Sequence, residues 1–232
     1  MRKTVLALTL LATFAHAGDR NDYTEKTDSV VPLAANGRLV LKNEIGDIRI
    51  HATDRADVRI TAIRRAHNSS ESEGPSRVKE LQVRVEPSVG EVRVTGSWAN
   101  HSFSRLLRGE GSLELDFEVE LPRNARIEVE NNIGDIRIEG SSADVDVREN
   151  IGDVKVDFST GFHPRRVSLE TNIGEVNTNL QGQQRGWLGK KFTAIQDGEH
   201  SLTVKLNIGD INVHTDGVKQ EEKKKSRKPV EM

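Results

Sequence analysis

Short runs of alternating apolar and polar residues fill most of the chain, and several of them follow one phrase. NEIGDIRI (43–50), NNIGDIRI (131–138), ENIGDVKV (149–156), TNIGEVNT (171–178) and LNIGDINV (206–213) are close copies, and PSVGEVRV (87–94) is a weaker one. Aligned on Gly46, Gly90, Gly134, Gly152, Gly174 and Gly209, the residue before glycine is always Ile or Val. An acid always follows: Asp47, Glu91, Asp135, Asp153, Glu175 and Asp210. Then come apolar, polar and, in five of the six copies, apolar positions, as in Ile136-Arg137-Ile138. That period of two predicts a half-buried strand. The apolar residues flanking the Gly-acid pair lie three apart, so the alternation restarts there. Each phrase therefore predicts a strand that bends at its glycine and re-enters the same core. Glycine tolerates the backbone angles of such a corner.

The glycines are spaced 44, 44, 18, 22 and 35 residues apart, and Gly111 falls 21 after Gly90 and 23 before Gly134. Strand patterns repeating every 20 to 30 residues, with no helical pattern between them, predict an all-β repetitive β-solenoid like a parallel β-helix. Its coil would be about 22 residues long, twice 22 being the first two spacings. An antiparallel β-sandwich or roll is the alternative. Two positions before glycine, four copies carry Asn132, Asn150, Asn172 and Asn207. Stacked amides of this kind bond from one strand to the next.

Along the chain, residues 31–217 read as one β domain. A polar leader, 18–30, precedes it, and three insertions interrupt it at 66–77, 97–111 and 181–192. The first is rich in Ser, Gly and Pro and predicts an exposed loop. The other two hold both tryptophans, Trp98 and Trp187, with Phe103 and Lys191 beside them. Residues 218–232 form a basic, apolar-poor tail that predicts disorder.

The run VELPRNARIEVENNIGDIRIEGSSADVDVRENIGDVKV (119–156) resembles the bacterial "putative adhesin" family of domains of unknown function. That family sets a Gly-Asp-Ile/Val phrase between strands, often after a Leu-Pro step, here Leu121-Pro122. The likeness extends from about Val31 to Thr215. It implies an extracytoplasmic, β-rich, solenoid-like protein without established catalytic activity, and no functional residues carry over.

The N-terminus fits that placement. Arg2 and Lys3, an apolar run from Val5 to Phe14, and Ala15-His16-Ala17 predict a secretory signal cleaved before Gly18, with the periplasm as destination and secretion or the cell surface as alternatives. No later segment has the roughly 20 apolar residues of a membrane helix. Without Arg2 and Lys3, 32 basic residues face 36 acidic ones, a balance that argues against a nucleic-acid binder. The chain has no cysteine, so disulfides and thiolate metal sites are excluded. Aromatic residues make up only 4%, which fits a core of stacked Ile, Val and Leu.

Candidate chemistry is sparse. The acidic column could line up for Ca²⁺, but the same acids fit a structural role, capping the corners and pairing with Arg49, Arg93, Arg137 and Lys155 two residues on. The histidines show no ligand spacing, and there is no phosphate-binding or nucleophile motif. An enzyme needs unlike groups at one place, whereas each copy restates the same groups. The expectation is thus a non-enzymatic binding or scaffold module of the cell envelope, without cofactor or metal. Its contacts with an envelope protein or glycan would be made through Trp98, Phe103, Trp187 and Lys191. A carbohydrate-active β-helix enzyme and a Ca²⁺-stabilised adhesive rod are the alternatives.

Overall fold

The computed structural model describes residues 8–10, 22–67, 73–98 and 113–216. They build two mixed nine-stranded sheets, neither closed, that share one apolar core. The first sheet runs β1 (Leu8–Leu10), β2 (Tyr23–Pro32), β5 (Asp57–Ala66), β8 (Leu113–Pro122), β4 (Ile48–Thr53), β10 (Ile136–Ser141), β12 (Val154–Phe158), β18 (Ile211–Thr215), β14 (Val176–Thr178). The second runs β15 (Gln183–Arg185), β16 (Lys190–Ile195), β13 (Pro164–Ile173), β17 (His200–Ile208), β11 (Val145–Ile151), β9 (Arg126–Ile133), β3 (Arg38–Lys42), β7 (Glu91–Trp98), β6 (Leu81–Ser88). The all-β expectation holds, and the arrangement is that of an open sandwich.

Each full phrase sends its first strand into the second sheet and its last strand into the first, with the glycine at the bend. Such strand pairs stack in parallel as β7/β8, β3/β4, β9/β10, β11/β12, β17/β18 and β13/β14. Antiparallel strands flank the stack: β5 and β2 beside β8, β6 beside β7, and β16 with β15 beside β13. Register places Ile48, Ile136, Val154, Ile211 and Val176 in one row, all buried. Burial of each such side chain contributes roughly 1.5 to 3 kcal/mol.

Several expectations change. A period of about 22 residues does not describe the stacking. Neighbouring corners are 88, 18, 57 and 35 residues apart, because the β17/β18 pair inserts between β11/β12 and β13/β14. Gly90 is not a corner. It closes the two-residue turn of the β6–β7 hairpin at φ +77°, with Val89 fully exposed beside it. The copy expected at Gly111 is not where the acid column continues: Leu115 and Asp116 of β8 lie against Gly46 and Asp47, and Gly111 itself lies outside the described residues. Residues 23–30 of the expected leader belong to β2, which pairs with β5 over ten positions. The 66–77 insertion contains a short helix, α1 (Gly74–Val78). The Ile column before the glycines was expected to enter the core; instead Ile151, Ile173 and Ile208 are 40% to 49% exposed. The chain turns at the glycine itself, so burial resumes only two residues beyond it.

Candidate functional site

The repeated groups converge on one edge of the sandwich, where the corners stack. Gly46, Gly134, Gly152, Gly209 and Gly174 have φ between +133° and +147°. A Cβ on Gly152 would lie 1.8 Å from the carbonyl oxygen of Gly134, and one on Gly209 would lie 1.9 Å from that of Gly152. Only glycine allows both this conformation and this approach.

Three polar rows follow the glycines. In the first, each acid accepts the backbone N–H of the acid in the next layer. Asp116 Oδ1 accepts from Asp47 (2.8 Å), Asp47 from Asp135 (3.0 Å), Asp135 from Asp153 (2.9 Å), Asp153 from Asp210 (2.8 Å), and Asp210 from Glu175 (2.8 Å). In the second row, Asn150 donates to Asn132, Asn207 to Asn150 and Asn172 to Asn207, at 2.8 to 3.0 Å. The expected amide ladder is present, in the order 132, 150, 207, 172. The expected acid–base pairs form in part. Arg49 meets Asp47 and Arg93 meets Glu91, both at 2.8 Å, but Arg137 turns to Glu139 and Lys155 to Asp157.

The third row lies just inside the corner: Asn43, Asn131, Glu149, Leu206 and Thr171, side by side and buried. Asn43 donates to the Leu115 carbonyl, Asn131 to that of Gly46, and Thr171 to that of Gly209. Glu149 breaks the series. It is 5% exposed, and neither of its carboxyl oxygens, nor Oδ1 of the neighbouring Asn131, has a hydrogen-bond partner among the described residues. Burial pushes its pKa up to about 7, against the lowering pull of the Asn131 side chain and the Ile151 and Asn150 N–H groups, which lie near the carboxyl without reaching hydrogen-bond geometry, and the charge of Asp135 adds a smaller rise. A proton on Glu149 would give the neighbouring Asn131 Oδ1 a donor.

Asp116, the terminal acid of the first row, is 1% exposed and paired with Arg65. Burial raises its pKa, opposed by the Asp47 N–H and by Arg65. Nearby, His67 bridges Asp22 and Glu114 at 3.2 and 2.9 Å. Burial alone would lower the pKa of His67, but these two partners raise it. Sequence reading missed Asp116 and Glu149. The signal for Glu149 was available three residues before each glycine, where polar side chains alternate onto the core face.

The aromatic candidates do not form one surface. Trp98 lies in β7, half-buried against the core, rather than in a loop. Trp187, in the turn between β15 and β16, is six to seven strand positions away in the same sheet, roughly 30 Å at about 4.8 Å per strand. It is 93% exposed, and Leu188 beside it is 68% exposed. Lys191 is in β16, 3.1 Å from Glu170. Phe103, the tail and most of the expected signal lie outside the described residues.

No protein-family model matches the sequence, and no curated protein matches it. Solved structures with a related arrangement include a "putative cell adhesion protein" from Clostridium sporogenes. It is 12% identical with a TM-score of 0.47, and the match covers 82% of this chain and all of that one. A "putative adhesin" from Bacteroides fragilis is 10% identical with a TM-score of 0.26, covering 82% and 97%. A "putative lipid binding protein" from Parabacteroides distasonis is 7% identical with a TM-score of 0.25, covering 87% and 98%.

Proposed function

We propose that this chain is a non-enzymatic binding or scaffold module acting outside the cytoplasm, in an adhesin-like role at the cell envelope. One observation carries the reading: the repeated polar groups are engaged in bonds between layers, while the β15–β16 hairpin presents Trp187, Leu188 and Ile195 to solvent. The acid row and the amide row each present one kind of group rather than the convergence of unlike groups that catalysis needs. The in-register parallel layers support reading the stack as a β-solenoid with permuted layer order, a rigid body on which loops make the contacts. The signal-like residues 1–17 support export, with the periplasm as destination. Among the described residues, no helix is long and apolar enough to cross a membrane.

Expressing the full chain in a bacterial host and fractionating the cells tests the placement. The expected product starts at Gly18 and leaves the cytoplasm; full-length product retained in the cytoplasm would sink the reading. Capture from an envelope extract, compared between the parent and Trp187→Ala, tests the hairpin as the contact, with loss of capture expected for the variant and equal capture counting against it.

A further inference from the structure

The β15–β16 hairpin is built in an unusual way for a surface turn. Arg185 and Lys191 are paired across it, and residues 186–190, Gly-Trp-Leu-Gly-Lys, close the end. Gly186 has φ +113°, and a Cβ there would meet the Gly189 carbonyl at 1.9 Å. Gly189 is pressed onto β13: a Cβ on it would lie 2.6 and 2.7 Å from the carbonyl oxygens of Thr171 and Asn172. The turn is therefore tight and docked at its base, which leaves Trp187 and Leu188 standing off the surface at 93% and 68% exposure. Tight turns ordinarily carry Gly, Asn, Asp or Ser, whose chemistry suits water. Here Trp187 and Leu188 put large apolar side chains at the tip, uncovered by any of the described residues.

Cations ring this knob. Among the described residues Arg185 reaches Gln183 (3.2 Å), Lys190 lies 3.7 Å from Glu175, and Lys191 lies 3.1 Å from Glu170, so three cations face two carboxylates there. In the strand row that continues from Lys191 and Glu170, the next two residues are Lys205 and Arg148, again basic. A glycan is usually gripped in a concave groove, whereas a convex apolar pair ringed by positive charge fits a soft apolar medium with an anionic face. Indole rings favour that boundary, with the ring in the acyl edge and the N–H at headgroup level.

We infer that the 186–190 turn is a membrane-surface anchor that seats Trp187 and Leu188 among lipid headgroups, with Arg185, Lys190 and Lys191 against anionic phosphates. This deepens the proposed envelope role by naming the partner as an anionic lipid surface, and it rests on that placement, which the fractionation tests separately. Two side chains and three cations give reversible, salt-sensitive association rather than permanent anchoring.

The test uses the full chain carrying Trp98→Phe, so that Trp187 is the sole indole, with vesicles of equal parts phosphatidylglycerol and phosphatidylethanolamine. Expected results are a blue-shifted emission, quenching by lipids brominated near the headgroup end of the acyl chain, weakening by added salt, and little shift on phosphatidylcholine alone. Without the Trp98 change, Trp187→Ser with Leu188→Ser should lower vesicle partitioning at least about tenfold; both residues are exposed, so the fold should be retained. Unshifted emission on the anionic vesicles would overturn the anchor. So would partitioning unchanged in the double serine variant, which would place the lipid contact in the basic tail, and so would an envelope protein captured through Trp187 with no vesicle binding at all.

Discussion

Glu149→Gln should stabilise the protein above neutral pH and remove most of one pH dependence. The pKa of Glu149 rises from its ordinary 4.5 to about 7 because the side chain is buried beside Asn131 and Leu206, and the charge of Asp135 adds to the rise. A raised carboxyl pKa means that the folded state binds more protons than the unfolded one between those two values. Stability is then complete below about pH 4.5 and is lost as pH climbs through 7. At about 1.4 kcal/mol per tenfold, the loss reaches about 3 kcal/mol by pH 8. Glutamine keeps the shape, offers an amide N–H to Asn131 Oδ1, and does not titrate. Urea unfolding of both proteins at intervals from pH 4.5 to 8.5 measures the effect, and the informative quantity is the difference between them, since Asp116 and other groups titrate in both. The variant should be no more stable than the parent near pH 4.5 and more stable by about 3 kcal/mol at pH 8. A difference that stays flat across this range, or one that favours the parent at high pH, would refute the claim that Glu149 is held as a neutral acid.

Three further outcomes follow from the corner geometry. Gly152→Ala forces a Cβ into the Gly134 carbonyl at positive φ and should cost more than about 3 kcal/mol or prevent folding, whereas Gly90→Ala, with nothing within 4 Å, should cost about 1 to 2 kcal/mol; comparable losses in thermal unfolding would contradict the distinction between corner and hairpin. Asp153→Asn retains an Oδ1 acceptor for the Asp210 N–H and should be close to neutral in denaturant unfolding, while Asp153→Ala should lose about 1 to 2 kcal/mol; equal losses would show that charge rather than the hydrogen bond matters. Because the ladder oxygens of the acid row already accept backbone N–H groups, a chelator should leave the melting temperature unchanged; a drop restored by added Ca²⁺ would revive the metal-row alternative.

The all-β class, the strand that bends at five of the six phrase glycines and the asparagine ladder were legible in the sequence because each is a local consequence of residue type. Period two places Ile136 and Ile138 on one face, a left-handed corner demands glycine, and an amide carries both a donor and an acceptor. Which layer lies beside which was not legible. The phrases are nearly interchangeable, so only the connections and the flanking antiparallel strands decide that Gly209 stacks on Gly152 and Gly174 on Gly209. The same holds for the hairpin at Gly90, which shares the phrase's letters but not its surroundings. Separating Trp98 from Trp187 was likewise a matter of tertiary structure, since both read as aromatics in insertions until sheet order set them at opposite ends. Most of all, burial made Glu149 distinctive: the sequence shows a glutamate where other copies carry Asn, Thr or Leu, and only packing removes the water that would have kept it charged.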